Sequence, residues 1–112
     1  MDVDTVLGYL SKIDISNLRV THYFETRANE RKNDIHPDVN GIYDIILNEK
    51  PVGILKQNVD TFKLYYNLGE EHDLIIIISV KNPNPIIINL VTCFIVDSKK
   101  RRRGDASELS GE

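Results

Sequence analysis

The chain has 112 residues, 41% of them hydrophobic and 28% charged, with a formal net charge of -3. That length buries one core and is too short for two, and the composition is globular. A lone cysteine, Cys93, excludes an intramolecular disulfide framework. With no basic-then-apolar leader at the start, the chain reads as cytoplasmic.

The two longest apolar runs, LIIIISV at 74–80 and IIINLVTCFIV at 86–96, fall short of the ~20 residues of a membrane-spanning helix, so no membrane association is expected. An acidic total argues against a nucleic-acid partner, but the charges are segregated. Basic residues collect between Arg19 and Lys32 and in KKRRR, Lys99 to Arg103, while Asp34 to Glu71 is acidic.

In chain order, MDVDTVLGYLSKI carries Val3, Val6, Leu7, Leu10 and Ile13 at helical spacing, with Asp2 or Asp4 as the cap. ISNLRV follows as a brief strand or extended connector. Thr21 then caps a helix from His22 to about Lys32, which KNDIHPD terminates because the residue before Pro37 is pushed out of helical geometry.

Pro37 and Asp38 open the next helix, to about Asn48, with Val39, Ile42, Tyr43, Ile45 and Ile46 as a broad apolar stripe. Gly41 is its weak position, at about 1 kcal/mol relative to alanine. After Pro51 the period changes to that of strands: VGILKQ, TFKLYYNL, DLIIIISV and PIIINLVTCFIV, joined by short connections.

The expected fold is therefore α+β, with N-terminal helices packed on a four-stranded antiparallel β-meander. Residues 1–97 form one domain and 98–112 a flexible charged tail. Alternation in TFKLYYNL assigns Phe62, Leu64, Tyr66 and Leu68 to the core face and Thr61, Lys63, Tyr65 and Asn67 to the other. The last two strands do not alternate, which implies that both their faces are covered, by the first helix or by a second subunit in a homodimer.

Metal and cofactor chemistry is not supported. There is no paired cysteine motif, no histidine pair at i, i+4, no carboxylate ion loop, no glycine-rich phosphate loop and no serine nucleophile elbow. What remains is metal-independent phosphodiester cleavage, for which histidine, arginine, lysine, tyrosine and threonine suffice.

On a helix starting at His22, Arg27 lies about 140° round, Arg31 about 180°, and the apolar Phe24 and Ala28 about 200° and 240°. Both arginines fall within the apolar arc and are expected to point at the protein body. A guanidinium aimed inward requires a partner, either a phosphate or a carboxylate such as Asp44 or Glu49. His22 projects away from them and is held in play by its titration range. Lys56, Lys63 and Tyr65 are candidate RNA contacts, as are Lys99, Lys100, Arg101, Arg102 and Arg103, although a basic tail serves equally as a solubilising extension. Thr92 shares parity with Ile88, Leu90 and Phe94 and is packed on the bland reading; Cys93 reads as a small buried residue.

His22, then RANER with Arg27 and Arg31, then a helix, then a meander whose last strand contains NLVTCF: this pattern resembles small proteins of the DUF4258 type and the wider RelE-like, barnase and colicin-like group of ribonuclease toxins. The resemblance spans about Thr21 to Val96. It implies helices on an antiparallel sheet, an RNA groove, an antitoxin-like protein partner, and cleavage by His22, Arg27, Arg31 and Thr92. Two readings stand at this point. One is a metal-independent RNA endonuclease; the other is a non-catalytic homodimeric interaction or RNA-binding domain.

Overall fold

The structure is a computed structural model that describes residues 1–81 and 85–97. Among the described residues, three helices and a short 3-10 turn are combined with five strands: α1 Val3–Leu10, the turn Ile15–Asn17, β1 Leu18–Val20, α2 His22–Arg31, α3 Val39–Asn48, β2 Gly53–Lys56, β3 Thr61–Asn67, β4 His72–Lys81 and β5 Ile87–Asp97. The proposed tail, with the basic block at 99–103, lies outside the described residues.

Each helix begins where a short polar side chain accepts a hydrogen bond from its first turn. Asp2 accepts from the Thr5 N–H, Thr21 from that of Phe24, and Asp38 from that of Gly41. The last of these helices owes its glycine to close packing, since a Cβ on Gly41 would lie 2.8 Å from Pro37 Cβ. Gly69, at φ +89°, makes the turn between β3 and β4, a left-handed conformation that glycine adopts without strain.

The sheet is five-stranded and mixed, in the order β1-β5-β4-β3-β2, which corrects the expected four-stranded antiparallel meander. β2 to β5 do form that meander. The addition is β1, the second half of ISNLRV, which pairs parallel to β5 through Leu18↔Ile88, Arg19↔Asn89 and Val20↔Leu90, while Ile15–Asn17 forms the 3-10 turn. Three residues carry too little pattern to declare a sheet partner, and a parallel pairing depends on the path taken by everything between the two strands.

All three helices lie on one face. Val6 and Leu10 of α1, Phe24 and Ala28 of α2, and Val39, Ile42 and Ile46 of α3 form one core with Phe62, Leu64 and Tyr66 of β3, Leu74, Ile76, Ile78 and Val80 of β4, and Ile88, Leu90 and Cys93 of β5. The alternation read in β3 places the same residues inward. The first helix joins this layer and does not cover the far face.

A β-bulge breaks the alternation of β5. Ile77 opposes Thr92 and Ile78 opposes Leu90, so Val91 is the extra residue. Before it Ile88 and Leu90 face the helices; after it Cys93 and Ile95 do. The parity expected for Thr92 is thereby reversed: it shares a face with Phe94 and not with Ile88 and Leu90.

No helix among the described residues is long and apolar enough to cross a membrane.

Candidate functional site

β1 stops at Val20, so among the described residues β5 from Val91 onward has no strand beside it on that side. α2, which follows β1 in the chain, packs on the helical face and reaches this open edge with its Arg31 side chain. Phe24 and Ala28 anchor it to the core, at 3% and 1% exposure. The flank next to them meets the open strand edge in a shallow notch of about 20 Å³, lined by Tyr23, Arg27, Arg31, Val91, Thr92 and Cys93 together with the two anchors.

Three of the four residues expected to be catalytic, Arg27, Arg31 and Thr92, thus line one notch although 61 or more positions separate the arginines from the threonine. Arg31 turns inward as its place on the helix requires. Its Nη1 donates to the main-chain carbonyl of Cys93 at 2.5 Å, satisfying a strand-edge acceptor that β1 does not reach. Neither Asp44 nor Glu49 is its partner, and among the described residues the carboxylate ion pair expected on the structural reading is not made.

Arg27 stays nearer solvent. Its side chain is 44% exposed and its Nε lies 3.9 Å from Glu30 Oε1. The guanidinium sits 5.7 Å from the Tyr23 ring centroid, and its Nη1 donates to the Tyr23 hydroxyl at 3.3 Å. Tyr23 itself is 67% exposed. The expectation that Arg27 points into the body is therefore corrected: the side chain lies along the helix surface, held by residues three and four positions away.

His22 does not line the notch. It is exposed on the first turn, with Nε2 3.5 Å from Thr26 Oγ1. Lys63 and Tyr65 lie on the sheet face opposite the helices, where Lys63, Ile77 and Thr92 form one cross-strand row. Tyr65 is buried, and the Lys63 ammonium lies 5.3 Å from its ring centroid, so the ring offers no open face for a base. Lys56 ends β2, at the opposite edge of the sheet from β1, and is not part of this surface. Lys99 to Arg103 lie outside the described residues.

Two residues outside the expected catalytic set complete the picture, one of them His36, a weaker candidate on sequence because it stands before a proline in a loop. Tyr23 is legible only as the i−4 neighbour of Arg27. His36, in the α2–α3 loop, is buried and packs beneath the site: its Nδ1 is 2.7 Å from the Pro37 carbonyl and its Nε2 3.8 Å from Cys93 Sγ. A carbonyl only accepts, so Nδ1 carries the hydrogen and, in the neutral ring, Nε2 accepts from the thiol. Burial pushes the Cys93 thiol up to about 11, outweighing the opposing pull of Arg31. Cys93 is accordingly a protonated packing residue, whose main-chain carbonyl orients Arg31.

The arrangement can hold an anion at the α2–β5 edge between two guanidinium groups, beside an exposed aromatic ring. Among the described residues no group of three or more histidine, cysteine or acidic side chains is placed to hold a metal ion.

A family model matches residues 4–78, two thirds of the sequence and the segment that carries α1, α2, α3 and most of the meander. The chain belongs to the MJ0788 family. Uncharacterized protein MJ0788 of Methanocaldococcus jannaschii is 42% identical over 65 residues, which cover 58% of this chain and 81% of that protein. No solved structure matches. The matched segment of this MJ0788 family member includes His22, Arg27 and Arg31 and ends before Thr92. Neither the family name nor the relative's name states an activity.

Proposed function

We propose that this protein is a metal-independent RNA endonuclease of toxin type, acting at the edge of β5. The observation that supports this reading is that Arg27 and Arg31 line one notch with the strand edge at Thr92, beside exposed Tyr23. The guanidinium fork matches the geometry of phosphate oxygens. Arg31 commits one N–H to Cys93 and retains the others, while Arg27 gives up only a solvent-exposed contact with Glu30.

In this scheme the scissile phosphate lies across the notch between the two arginines. His22, at the first turn of α2, takes the proton of the ribose 2′-hydroxyl. O2′ then bonds to phosphorus, the P–O5′ bond breaks, and the Tyr23 hydroxyl protonates the departing O5′. The products are a 2′,3′-cyclic phosphate and a 5′-hydroxyl end, and a proton passes from His22 back to Tyr23 through water. Thr92 donates to a non-bridging oxygen. An antitoxin-like partner would silence the site by setting carboxylates against Arg27 and Arg31.

A second reading, RNA binding without cleavage, is favoured by the exclusion of His22 from the notch and by the notch's small volume, which admits a phosphate edge and not a nucleotide. One experiment separates the two. Labelled single-stranded and structured RNAs are incubated in EDTA with the parent protein and with folded His22→Ala and Arg27→Ala variants. Cleavage by the parent alone supports the endonuclease. Salt-sensitive binding with no cleavage, lost in Arg27→Ala, supports the binding domain.

A further inference from the structure

On the far side of the helical layer from the β5 edge, the C-terminal ends of α1 and α3 converge on a cleft of about 460 Å³. It is lined by Leu7, Gly8, Leu10 and Ser11 from the first and by Leu47, Asn48, Glu49, Lys50 and Pro51 from the second. That volume is in the range of small-molecule sites, whereas the α2–β5 notch is not. Leucine side chains and Pro51 supply an apolar wall, and the polar groups gather at one end.

At the α3 end of the cleft the main-chain groups left open are acceptors. Glu49 N–H closes α3 on the Ile45 carbonyl; Pro51 has no N–H, and Val52 N–H is taken by Tyr65 O. Among the described residues no main-chain N–H therefore reaches the carbonyls of Ile46, Leu47 and Asn48. Neither α1 nor α3 has a basic residue in its last turn to offset the negative end of its dipole, and Glu49 places a carboxylate at that same end. Lys50 also borders the cleft, exposed, and among the described residues neither it nor Glu49 forms an ion pair.

A second, independent observation comes from the core beneath. Tyr66 is fully buried, and its hydroxyl has no hydrogen-bond partner. Burial, reinforced by the Glu49 charge, pushes its ionisation well above the ordinary phenol range, so the hydroxyl stays protonated and lies within reach of the carboxylate's field. Tyr66 is not itself a lining residue; its neighbour Tyr65 pairs with Gly53 and accepts from the Val52 N–H, in the segment that follows the cleft. An unpaired buried hydroxyl is a cost that a fold seldom carries for nothing.

We infer that this cleft binds a small organic cation, an amine with an apolar body, whose N–H groups meet Glu49 and the terminal carbonyls of α3 while its hydrocarbon lies against Leu7, Leu10, Leu47 and Pro51. The site is separate from the α2–β5 edge and does not depend on the ribonuclease reading. Glu49 and the open carbonyls at the end of α3 disfavour an anion, with the exposed Lys50 as the one cation among the described lining residues, whereas the α1 carbonyls of Leu7, Gly8 and Tyr9 are already taken. An uncharged alcohol satisfies only part of the acceptor set.

The test uses the full chain and three matched probes: 2-phenylethylamine, 2-phenylethanol and phenylacetate. Methyl NMR signals of Leu7, Leu10 and Leu47 are followed during titration. The amine is expected to shift them saturably with Kd below about 1 mM, and the other two probes are not. Glu49→Gln, a surface change, should weaken amine binding at least fivefold. A Cβ on Gly8 meets nothing within 4 Å, so Gly8→Phe fills the cleft and should abolish the shifts in a protein whose spectrum shows it folded. Equal responses to all three probes, no saturable shift with the amine, or undiminished amine binding in either variant would overturn the inference.

Discussion

Arg31 and Cys93, 62 positions apart in the chain, meet through the arginine's Nη1 and the cysteine's main-chain carbonyl at 2.5 Å. The contact ties the last turn of α2 to the strand edge that β1 leaves open, and it makes a charged side chain complete a sheet's hydrogen bonding. Replacing Arg31 by alanine strands a partly buried acceptor and removes a charge-assisted bond. We expect a loss of about 1.5–3 kcal/mol, read from urea denaturation. A loss under ~0.5 kcal/mol would show that water replaces the guanidinium at no cost.

Arg27 should behave differently, because its partners lie on the surface of its own helix. The contacts with Glu30 and Tyr23 are together worth no more than about 1 kcal/mol. Thermal melts of Arg27→Ala should therefore stay close to the parent while RNA cleavage or binding is lost. A strongly lowered melting temperature would instead mark Arg27 as structural.

Cys93 predicts an alkaline component of stability. Its thiol is raised from about 9 to about 11 in the fold, so the folded state favours the protonated form. That contribution is complete below the unfolded value near 9 and is lost as pH rises through about 11. Unfolding free energies measured from pH 8 to pH 11 should fall more steeply for the parent than for Cys93→Ala. For the same reason iodoacetamide at pH 8 should modify Cys93 only as fast as the protein opens.

Tyr66→Phe removes a hydroxyl that is buried without a partner. Stability should be unchanged or rise by about 1 kcal/mol, the reverse of the usual outcome for a core substitution. Denaturation midpoints of the two proteins decide it, and a loss above ~1 kcal/mol would reveal a hydrogen bond to that hydroxyl.

The two helical glycines should respond with opposite signs to alanine. Gly8 faces open space, so Gly8→Ala gains the helix propensity of about 1 kcal/mol. At Gly41 the same gain is opposed by a Cβ placed 2.8 Å from Pro37 Cβ, and overpacking of roughly 1–3 kcal/mol prevails. Paired thermal melts check both.

Periodicity by itself determined most of the elements. Three amphipathic helices with side-chain caps follow from local spacing of apolar residues, and four of the five strands from alternation or from continuous apolar runs bounded by turn residues, since a helix or strand must bury apolar surface whatever its neighbours are. The inward set of β3, Phe62, Leu64 and Tyr66, was legible for the same reason. So was the inward turn of Arg31.

Tertiary structure decided where these pieces meet. β1 is too short to state its partner, and its parallel pairing with β5 is settled by the path of the intervening chain. The bulge at Val91 is a local insertion in a run where nearly every residue is apolar, so no alternation exists from which to read it; yet it exchanges the faces of Thr92 and Cys93. The destination of Arg31 was equally hidden. Side-chain patterns report which way a residue points, whereas the acceptor that meets it is a backbone carbonyl, a group every residue carries, exposed at that one place because the neighbouring strand ends three residues earlier, opposite Leu90.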